Sequence, residues 1–143
     1  MRRVVTGWDE DGRAAILFDG EPPVQPEFPY ASASELWISH SSPPDLRGRA
    51  DTAAREWELL PPPGGTVCRI ATYPPGAEVE EHSTETLDYI IVIAGQLTLL
   101  YGGEEITLAP GESVVQQGTP HGWANRGEEP CVIAAILIDA AGG

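Results

Sequence analysis

Residues 76–88 read Gly76-Ala-Glu-Val-Glu-Glu-His82-Ser-Thr84-Glu-Thr-Leu-Asp88, and residues 118–125 read Gly118-Thr-Pro-His121-Gly-Trp123-Ala-Asn125. Each segment places one histidine at the start of, or inside, a β-like run, and glycines mark the turns around it. A carboxylate follows the first histidine six residues later. We therefore expect the two segments to fold against each other and to direct His82, Asp88 and His121 into one pocket.

From residue 66 onwards the sequence reads as short strands separated by turns. The predicted strands cover residues 66–73, 86–94, 96–101, 104–108, 113–117, 121–125 and 131–139. The chain also carries 14 prolines and 16 glycines, which favour turns over long helices. Strands at this spacing predict an all-β sandwich or barrel over residues 66–140.

Residues 1–65 are predicted to add further strands and a proline-rich arm. The β-branched runs at 3–6 and 13–18 suggest a hairpin, and residues 35–39 suggest another strand. Residues 21–29 carry four prolines and read as an extended loop, whereas residues 52–60 alone look helical before three prolines stop them. We expect this arm to pack on the barrel or on a dimer mate, within one structural domain overall.

The charge of the chain excludes several classes of partner. The formal net charge is −14, from 8 basic and 22 acidic residues, which disfavours nucleic acid and anionic membrane surfaces. No signal-peptide hydrophobic region follows the first residues, and the apolar run at 131–138 is too short to span a bilayer. Cys68 and Cys131 lie in apolar runs and are expected to be buried, reduced thiols. We therefore expect a soluble, cytoplasmic protein.

Two predicted strands are apolar on both faces. In residues 86–94, Ile90 and Val92 alternate with Tyr89 and Ile91, and residues 131–139 show the same double pattern. Strands of this kind are covered on both sides. One side would line the barrel interior, and the N-terminal strands or a second subunit would cover the other, which predicts a homodimer.

The polar residues of the two segments form a candidate site. His82, Thr84 and Asp88 share a parity, so on one continuous strand they would project to the same side, and His121 shares a parity with Trp123. If the two strands face each other across a barrel, these groups converge inside an apolar cavity. Two imidazoles and a carboxylate are a ligand set for a divalent transition metal such as Fe, Mn, Ni, Co, Cu or Zn, and ligand type alone does not select one.

Two further side chains have alternative roles. Trp123 either lines the pocket, where it would offer a flat surface to an aromatic or polyketide-like substrate, or packs in the core. Arg69, inside an apolar strand, either holds a substrate carboxylate or forms a salt bridge to one of the many acids, and the salt bridge is the favoured interpretation.

The spacing of the first segment resembles the first motif of the cupin family. That motif runs glycine, five residues, His-x-His, three or four residues, glutamate, six residues and glycine. The chain places Gly76, His82, Thr84, Asp88 and Gly95 at these positions. Thr84 therefore stands where the family usually has histidine, and Asp88 stands where it has glutamate.

The second segment resembles the second cupin motif, which runs glycine, about five residues, Pro-x-Gly-x-x-His, three residues and asparagine. The chain has Gly111, then Gln116-Gln-Gly118-Thr-Pro-His121, three residues and Asn125. Gln116 replaces the proline of the motif. The overall pattern also looks like a subgroup of single-domain cupins that occur as stand-alone bacterial proteins and in fungal natural-product pathways.

The resemblance implies a cupin-type β-barrel, which is a double-stranded β-helix or jelly roll, with extra N-terminal strands and a metal in its mouth. The implied ligands are His82, Asp88 and His121. Aspartate is one methylene shorter than glutamate, so Asp88 is expected to reach the metal only through water. Thr84 is expected to donate or accept hydrogen bonds in the pocket rather than to ligate.

These observations predict a metal-dependent cupin enzyme acting on a small, mostly apolar organic molecule. Isomerisation, decarboxylation, cyclisation and oxidation all remain open, with Fe, Mn, Ni, Cu or Zn as the cofactor. One alternative is a metal-free module that binds a small ligand and has no cofactor. Another is a metal-free acid–base enzyme in which His82 or His121 is the general base and Asp88 orients it.

Overall fold

The structure is a computed structural model that describes residues 1–140. Within this range the chain forms twelve strands and no α-helix. The strands are β1 (Arg3–Trp8), β2 (Ala14–Gly20), β3 (Glu27–Phe28), β4 (Ala31–Ser39), β5 (Thr66–Tyr73), β6 (Glu78–His82), β7 (Thr86–Ala94), β8 (Leu97–Tyr101), β9 (Glu104–Leu108), β10 (Ser113–Gln117), β11 (His121–Ala124) and β12 (Cys131–Asp139). The described residues therefore contain no helix long and apolar enough to cross a membrane.

Two antiparallel sheets face each other around the core. One has six strands in the order β10-β7-β12-β5-β4-β3, and the other has four in the order β6-β11-β8-β9. From β5 to β12 the chain passes repeatedly from one sheet to the other, which is the connectivity of a jelly roll. Apolar residues from both sheets share one buried cluster, including Ile90 and Ile133 of the larger sheet and Leu97 and Leu108 of the smaller. The all-β prediction is confirmed.

The N-terminal residues form the predicted hairpin of β1 and β2. Arg3 attaches it to the larger sheet, because its guanidinium donates to the carbonyl oxygen of Leu36 (2.9 Å) and pairs with the carboxylate of Asp51. The predicted extended loop at 21–29 is wrong in part, since β3 lies inside it and pairs with β4.

The helix predicted for residues 52–60 is wrong. This segment instead makes a turn and then an extended strap, because its side chains have partners elsewhere in the fold. Ala53 is fully buried, and the hydroxyl oxygen of Thr52 accepts a hydrogen bond from the backbone of Ile38 (3.1 Å). Trp57 packs on the ring of Phe28, 4.9 Å between centroids. A nine-residue segment gains little from helix formation alone, so these contacts decide its path.

The larger sheet presents two different faces. Its inner face meets the smaller sheet, whereas its outer face points away from the core. On β7 the inner residues are buried, while Tyr89, Ile91 and Ile93 of the outer face are 40%, 40% and 49% exposed. On β7 the prediction that both faces are covered is therefore met on the inner face only. On β12 the outward residues are half-buried, so the prediction is met there in part.

Both cysteines are free thiols. Cys131 is fully buried, and burial raises its pKa to about 11. Cys68 lies on the outer face and is only partly buried, so the expectation of burial is correct for Cys131 and too strong for Cys68.

Candidate active site

A cavity of about 340 Å³ lies between the two sheets. Its size is in the range of small-molecule sites in proteins. The structure brings to its wall all five side chains that the sequence assigned to a pocket, namely His82, Thr84, Asp88, His121 and Trp123. The remaining lining is mostly apolar and aromatic.

The two histidines are neighbours in one sheet. His82 at the end of β6 pairs directly with His121 at the start of β11, and their ring centroids lie 4.7 Å apart. The expectation that the two segments face each other across the barrel is therefore wrong for this pair. A β-bulge follows His121, and β6 passes so close that a Cβ on Gly122 would lie 2.5 Å from the carbonyl oxygen of Val79. Glycine at this position permits the close pairing.

Backbone carbonyls fix the orientation of both imidazole rings. Nδ1 of His82 lies 2.9 Å from the carbonyl oxygen of Glu80, and Nδ1 of His121 lies 2.8 Å from that of Thr119. Since a carbonyl oxygen only accepts, each Nδ1 carries the hydrogen and each Nε2 keeps its lone pair. A histidine held in this way through Nδ1 is arranged as metal-binding histidines are.

Gln116 supports this arrangement, and sequence reasoning assigned it no role. Its amide nitrogen donates to the carbonyl oxygen of Thr119 (2.8 Å) and to the hydroxyl of Thr119 (2.6 Å). The same carbonyl oxygen therefore receives hydrogen bonds from Gln116 and from His121. The signal in the sequence was that Gln116 replaces the proline of the second motif, because proline has no side-chain amide that could donate a hydrogen bond.

Asp88 reaches the cavity from the opposite sheet. The predicted strand at 86–94 is confirmed as β7. The parity argument for His82 and Asp88 does not apply, because β6 ends at His82 and β7 begins at Thr86 in the other sheet. Asp88 is 4% exposed, and within residues 1–140 its Oδ1 has no hydrogen-bond partner. Burial raises the pKa of this carboxyl, while a hydrogen bond from Thr86 and the two imidazoles act in the opposite direction.

The other predicted pocket residues have defined contacts. The Thr84 hydroxyl lies 2.8 Å from the Thr86 hydroxyl, which agrees with a hydrogen-bonding role. Trp123 packs edge-on against His121 at 5.3 Å between ring centroids and also belongs to the buried core cluster, so it serves both as core and as pocket wall.

Burial lowers the pKa of His121, and this makes the neutral imidazole the dominant form near neutral pH.

The donors fit a divalent metal in type. Two bare Nε2 atoms and one unpartnered, buried carboxylate oxygen face the same cavity. As placed, however, no three His, Cys, Asp or Glu side chains between residues 1 and 140 stand close enough together to form a metal-binding group. The two histidines are therefore paired, but the three side chains do not form one metal-binding group as placed.

Arg69, which also lines the cavity, forms a buried ion pair. Arg69 of β5 and Glu35 of β4 are 5% and 1% exposed, with Nε and Oε1 2.7 Å apart and Nη2 donating to Oε2 (3.3 Å). The favoured interpretation of Arg69 as a salt-bridge residue is confirmed. Burial raises the pKa of Glu35, with the charge of Arg69 opposing this shift, and lowers the pKa of Arg69.

An aromatic group beside this ion pair was not predicted. It consists of Phe28, Tyr30 and Trp57, which line the cavity from the N-terminal arm. Phe28 contacts both other rings, and the Arg69 guanidinium lies 5.1 Å from the Trp57 ring centre. Nothing in the spacing of residues 1–65 places these rings, because long-range packing and not local periodicity brings them to the barrel.

Comparison with known proteins gives one consistent family. The cupin domain profile matches residues 69–138. The cupin-domain-containing oxidoreductase fogC of Aspergillus ruber is 32% identical over 145 residues, covering 96% of this chain and 71% of that protein. Phomopsin biosynthesis cluster protein C' of Diaporthe leptostromiformis is 40% identical over 96 residues, covering 63% of this chain and 51% of that protein. The chain thus spans about half the length of the latter relative.

A solved structure supports the fold independently. An RmlC-like cupin from Shewanella frigidimarina superposes with a TM-score of 0.58 at 12% identity, covering 82% of this chain and 85% of that one. At this identity the similarity shows the fold alone. It agrees with the jelly-roll connectivity of β5 to β12.

Proposed function

This chain belongs to the cupin family, and from that premise we propose that it is a divalent-metal-dependent enzyme acting on a small, mostly apolar organic molecule. The observation that carries the proposal is the pair of histidines with bare Nε2 atoms at a cavity that also receives the unpartnered Oδ1 of Asp88. His82 and His121 would hold the metal, and Asp88 would join directly or through water.

The protein's own part in such chemistry is orientation and exclusion of water. A metal bound there supplies Lewis-acid polarisation of a carbonyl or enolate oxygen, or redox chemistry with dioxygen. The carbonyl oxygens of Glu80 and Thr119 keep both rings in one tautomer and one orientation. Burial of Asp88 and His121 keeps bulk water from the reacting atoms and strengthens every electrostatic interaction there.

The relatives favour some reaction types over others. The name of fogC describes an oxidoreductase, and the Diaporthe protein is named for a biosynthesis cluster. The first name supports redox chemistry ahead of isomerisation, decarboxylation or cyclisation. The second supports only a substrate that belongs to a biosynthetic pathway. Because the chain is shorter than these relatives, the substrate of the whole protein is a proposal as well.

The same residues favour one metal-free alternative. The lowered pKa of His121 leaves its Nε2 able to accept a proton at neutral pH, and the charge of Asp88 would stabilise the resulting imidazolium. A ligand-binding module without catalysis would use the same cavity. These two functions are the outcomes to expect if the chain binds no metal.

Elemental analysis of the purified, untagged protein tests the proposal, with His40→Ala as the matched control because His40 is exposed and distant from the motif segments. We expect near-stoichiometric Fe, Mn, Ni, Cu or Zn in the wild type and in His40→Ala, and loss of that metal in His121→Ala. If the His121→Ala variant retained the metal, the assignment of His121 as a metal ligand would be wrong. No metal after each ion is added back would contradict metal dependence.

A further inference from the structure

Arg69 is the single arginine among eight that lines the cavity, and the chain has no lysine. Its contacts are unevenly distributed over the guanidinium. Nε and Nη2 face Glu35, and Nη2 also donates to the carbonyl oxygen of Glu58 (3.0 Å). Nη1 makes no hydrogen bond within residues 1–140, and it is not among the fully buried unpartnered atoms of that range. The cavity side of Arg69 is therefore open.

The surroundings of Nη1 define what it can bind. Trp57 stacks on the guanidinium, and Phe28 packs on Trp57, so a flat apolar surface lies directly beside the open nitrogen. Guanidinium nitrogens bind anionic oxygens strongly, and aromatic faces bind planar rings. The ion pair with Glu35 uses Nε and Nη2, and this leaves Nη1 without a hydrogen-bond partner within residues 1–140.

The sheet sets the distance between this group and the proposed metal end. Strand β12 lies between β5 and β7, and Ala135 of β12 pairs with both Arg69 and Ile90, two residues along β7 from Asp88. Arg69 and Asp88 are therefore about 12 Å apart across the sheet, and both face the cavity. A planar molecule can span that distance.

We propose that the substrate is a planar aromatic or conjugated molecule with an anionic oxygen, and that Arg69 Nη1 binds this oxygen while the ring lies against Trp57. This assignment rests on the proposed function for its reaction, but it names a binding role that does not depend on metal. Arg69 is then a specificity-determining residue, and the far end of the ring reaches His82 and His121.

Isothermal titration with two probes of equal shape tests the assignment. 2-Naphthoate carries the anionic oxygen, and 2-naphthamide replaces it with a neutral amide. We expect the wild type and the His40→Ala control to bind the acid about tenfold more tightly than the amide. In Glu35→Leu/Arg69→Met, which removes both charges together, the ratio should fall to about one, while the affinity for the amide changes little.

Two more variants complete the design. Arg69→Lys keeps the pair with Glu35 but lacks the second terminal nitrogen, so it should also lose the preference even if the double variant does not fold. Trp57→Ala should weaken both probes by a similar factor and leave their ratio unchanged.

An equal affinity of the wild type for both probes would overturn the assignment. So would a preference that persists in the double variant. A preference that disappears on chelation or in His121→Ala, but not in the Arg69 variants, would place the anion at the histidines and overturn the assignment while leaving the proposed function intact. If instead the protein bound no metal but its preference for the acid still depended on Arg69, the proposed metal-dependent function would be overturned and the assignment of Arg69 would stand.

The outer face of the larger sheet carries a second, independent inference. It comprises the outward residues of four strands: Thr66, Cys68, Ile70 and Thr72 of β5, Leu87, Tyr89, Ile91 and Ile93 of β7, Ser113, Val115 and Gln117 of β10, and Val132, Ala134, Ile136 and Ile138 of β12. None of them is charged, although 21% of the chain is Asp, Glu, Lys or Arg. Val115 is 58% exposed, and Tyr89, Ile91 and Ile93 are 40%, 40% and 49% exposed.

The charge of the chain selects the occupant of this surface. Two copies that each carry −14 repel one another over most approaches, and a face without charge is where that repulsion is least. A basic partner would be drawn to the acidic surfaces instead. These four strands have five to nine residues each. Together they span about 500 Å² before the side chains are counted, which is of the order of the roughly 800 Å² per partner in a stable complex.

We infer that this face binds the same face of a second copy in a symmetric homodimer. Light scattering after gel filtration should give a mass of twice 15.3 kDa at micromolar concentration. Ile91→Glu should convert the protein to monomer. The matched control is Ile106→Glu, because Ile106 is 52% exposed on β9 of the other sheet. A monomeric wild type, or equal effects of the two substitutions, would refute the interface.

Discussion

The inner and outer faces of the larger sheet are built from alternating residues of the same strands, yet they divide polar groups in opposite ways. The buried inner face holds Glu35, Arg69 and Asp88. The outer face of the same sheet is mostly exposed on β7 and β10 and half-buried on β5 and β12, and it holds no charge on these four strands. Soluble proteins usually place charge outside and apolar groups inside. This reversal supports the two proposals made above, namely that Arg69 and Asp88 act at the cavity and that the outer face binds a second copy.

The first prediction concerns the free-energy cost of leaving one inner charge buried without its partner. Arg69→Met leaves the Glu35 carboxylate, 1% exposed, without its cation. Removing one partner of a buried ion pair destabilises proteins by about 3–5 kcal/mol, so we expect about 4 kcal/mol less unfolding free energy in urea. Glu35→Leu/Arg69→Met should recover most of that loss. An equally unstable double variant would show that packing of the Arg69 stem, and not charge, dominates at this position.

A second prediction compares two isoleucines of β12. Ile133 points inward and is 2% exposed, while Ile136 points outward and is partly buried. Ile133→Ala should lower the unfolding free energy by about 3 kcal/mol because it opens a cavity in the core. Ile136→Ala should cost about 1 kcal/mol when measured on dilute protein. Similar losses at both positions would mean that the outer face is covered even at low concentration.

The sequence predicted the fold well where local pattern is sufficient. Turn residues and alternation located nearly every strand from β5 to β12, because a strand needs only a short run and a clear boundary. The strap at 52–60 was misjudged, since Trp57 and Ala53 take their conformation from contacts with Phe28 and with the core. Contacts between residues far apart in the chain leave no local periodicity.

The sequence predicted which residues belong to the candidate site, but it did not predict how they are arranged. Motif spacing identified the residues that line the cavity, yet parity could not show that the chain changes sheets between His82 and Asp88. The result is that the two histidines pair within one sheet, and the carboxylate arrives from the other. The arrangement of Glu35, Arg69 and Trp57 was out of reach, because it joins three separate segments.

Asp88→Asn makes a third, smaller prediction on the inner face. The pKa of Asp88 is raised in the folded state above its ordinary 3.8, so its ionisation opposes folding. Its contribution to stability is present below the ordinary pKa and is lost as pH rises through the raised one. In chelator-treated protein at neutral pH, Asp88→Asn should therefore increase the unfolding free energy by about 1 kcal/mol, and this gain should shrink on acidification.

The matching functional readout separates stability from purpose. If Asp88 helps to hold a metal, Asp88→Asn should lower metal content in the same preparations in which it raises stability. Lower stability at neutral pH would contradict the electrostatic account. Unchanged metal content would confine Asp88 to a role apart from the metal.

The smallest expected effect concerns two adjacent valines of β10, and it is the most direct test of the contrast between the faces. Val114 points inward against the core cluster, and Val115 points outward and is exposed. Valine and threonine have nearly the same shape, so the substitution changes little except the polarity of one group. Val114→Thr should cost about 1 kcal/mol because it places a hydroxyl against apolar side chains. Val115→Thr should change the unfolding free energy by no more than about 0.5 kcal/mol on dilute protein, where no partner covers it.

At higher concentration, however, Val115→Thr should weaken self-association measured by sedimentation, because the hydroxyl then lies inside the proposed interface. If Val115→Thr changed neither stability nor association, β10 would lie outside the proposed interface, which would then have to be formed by β5, β7 and β12.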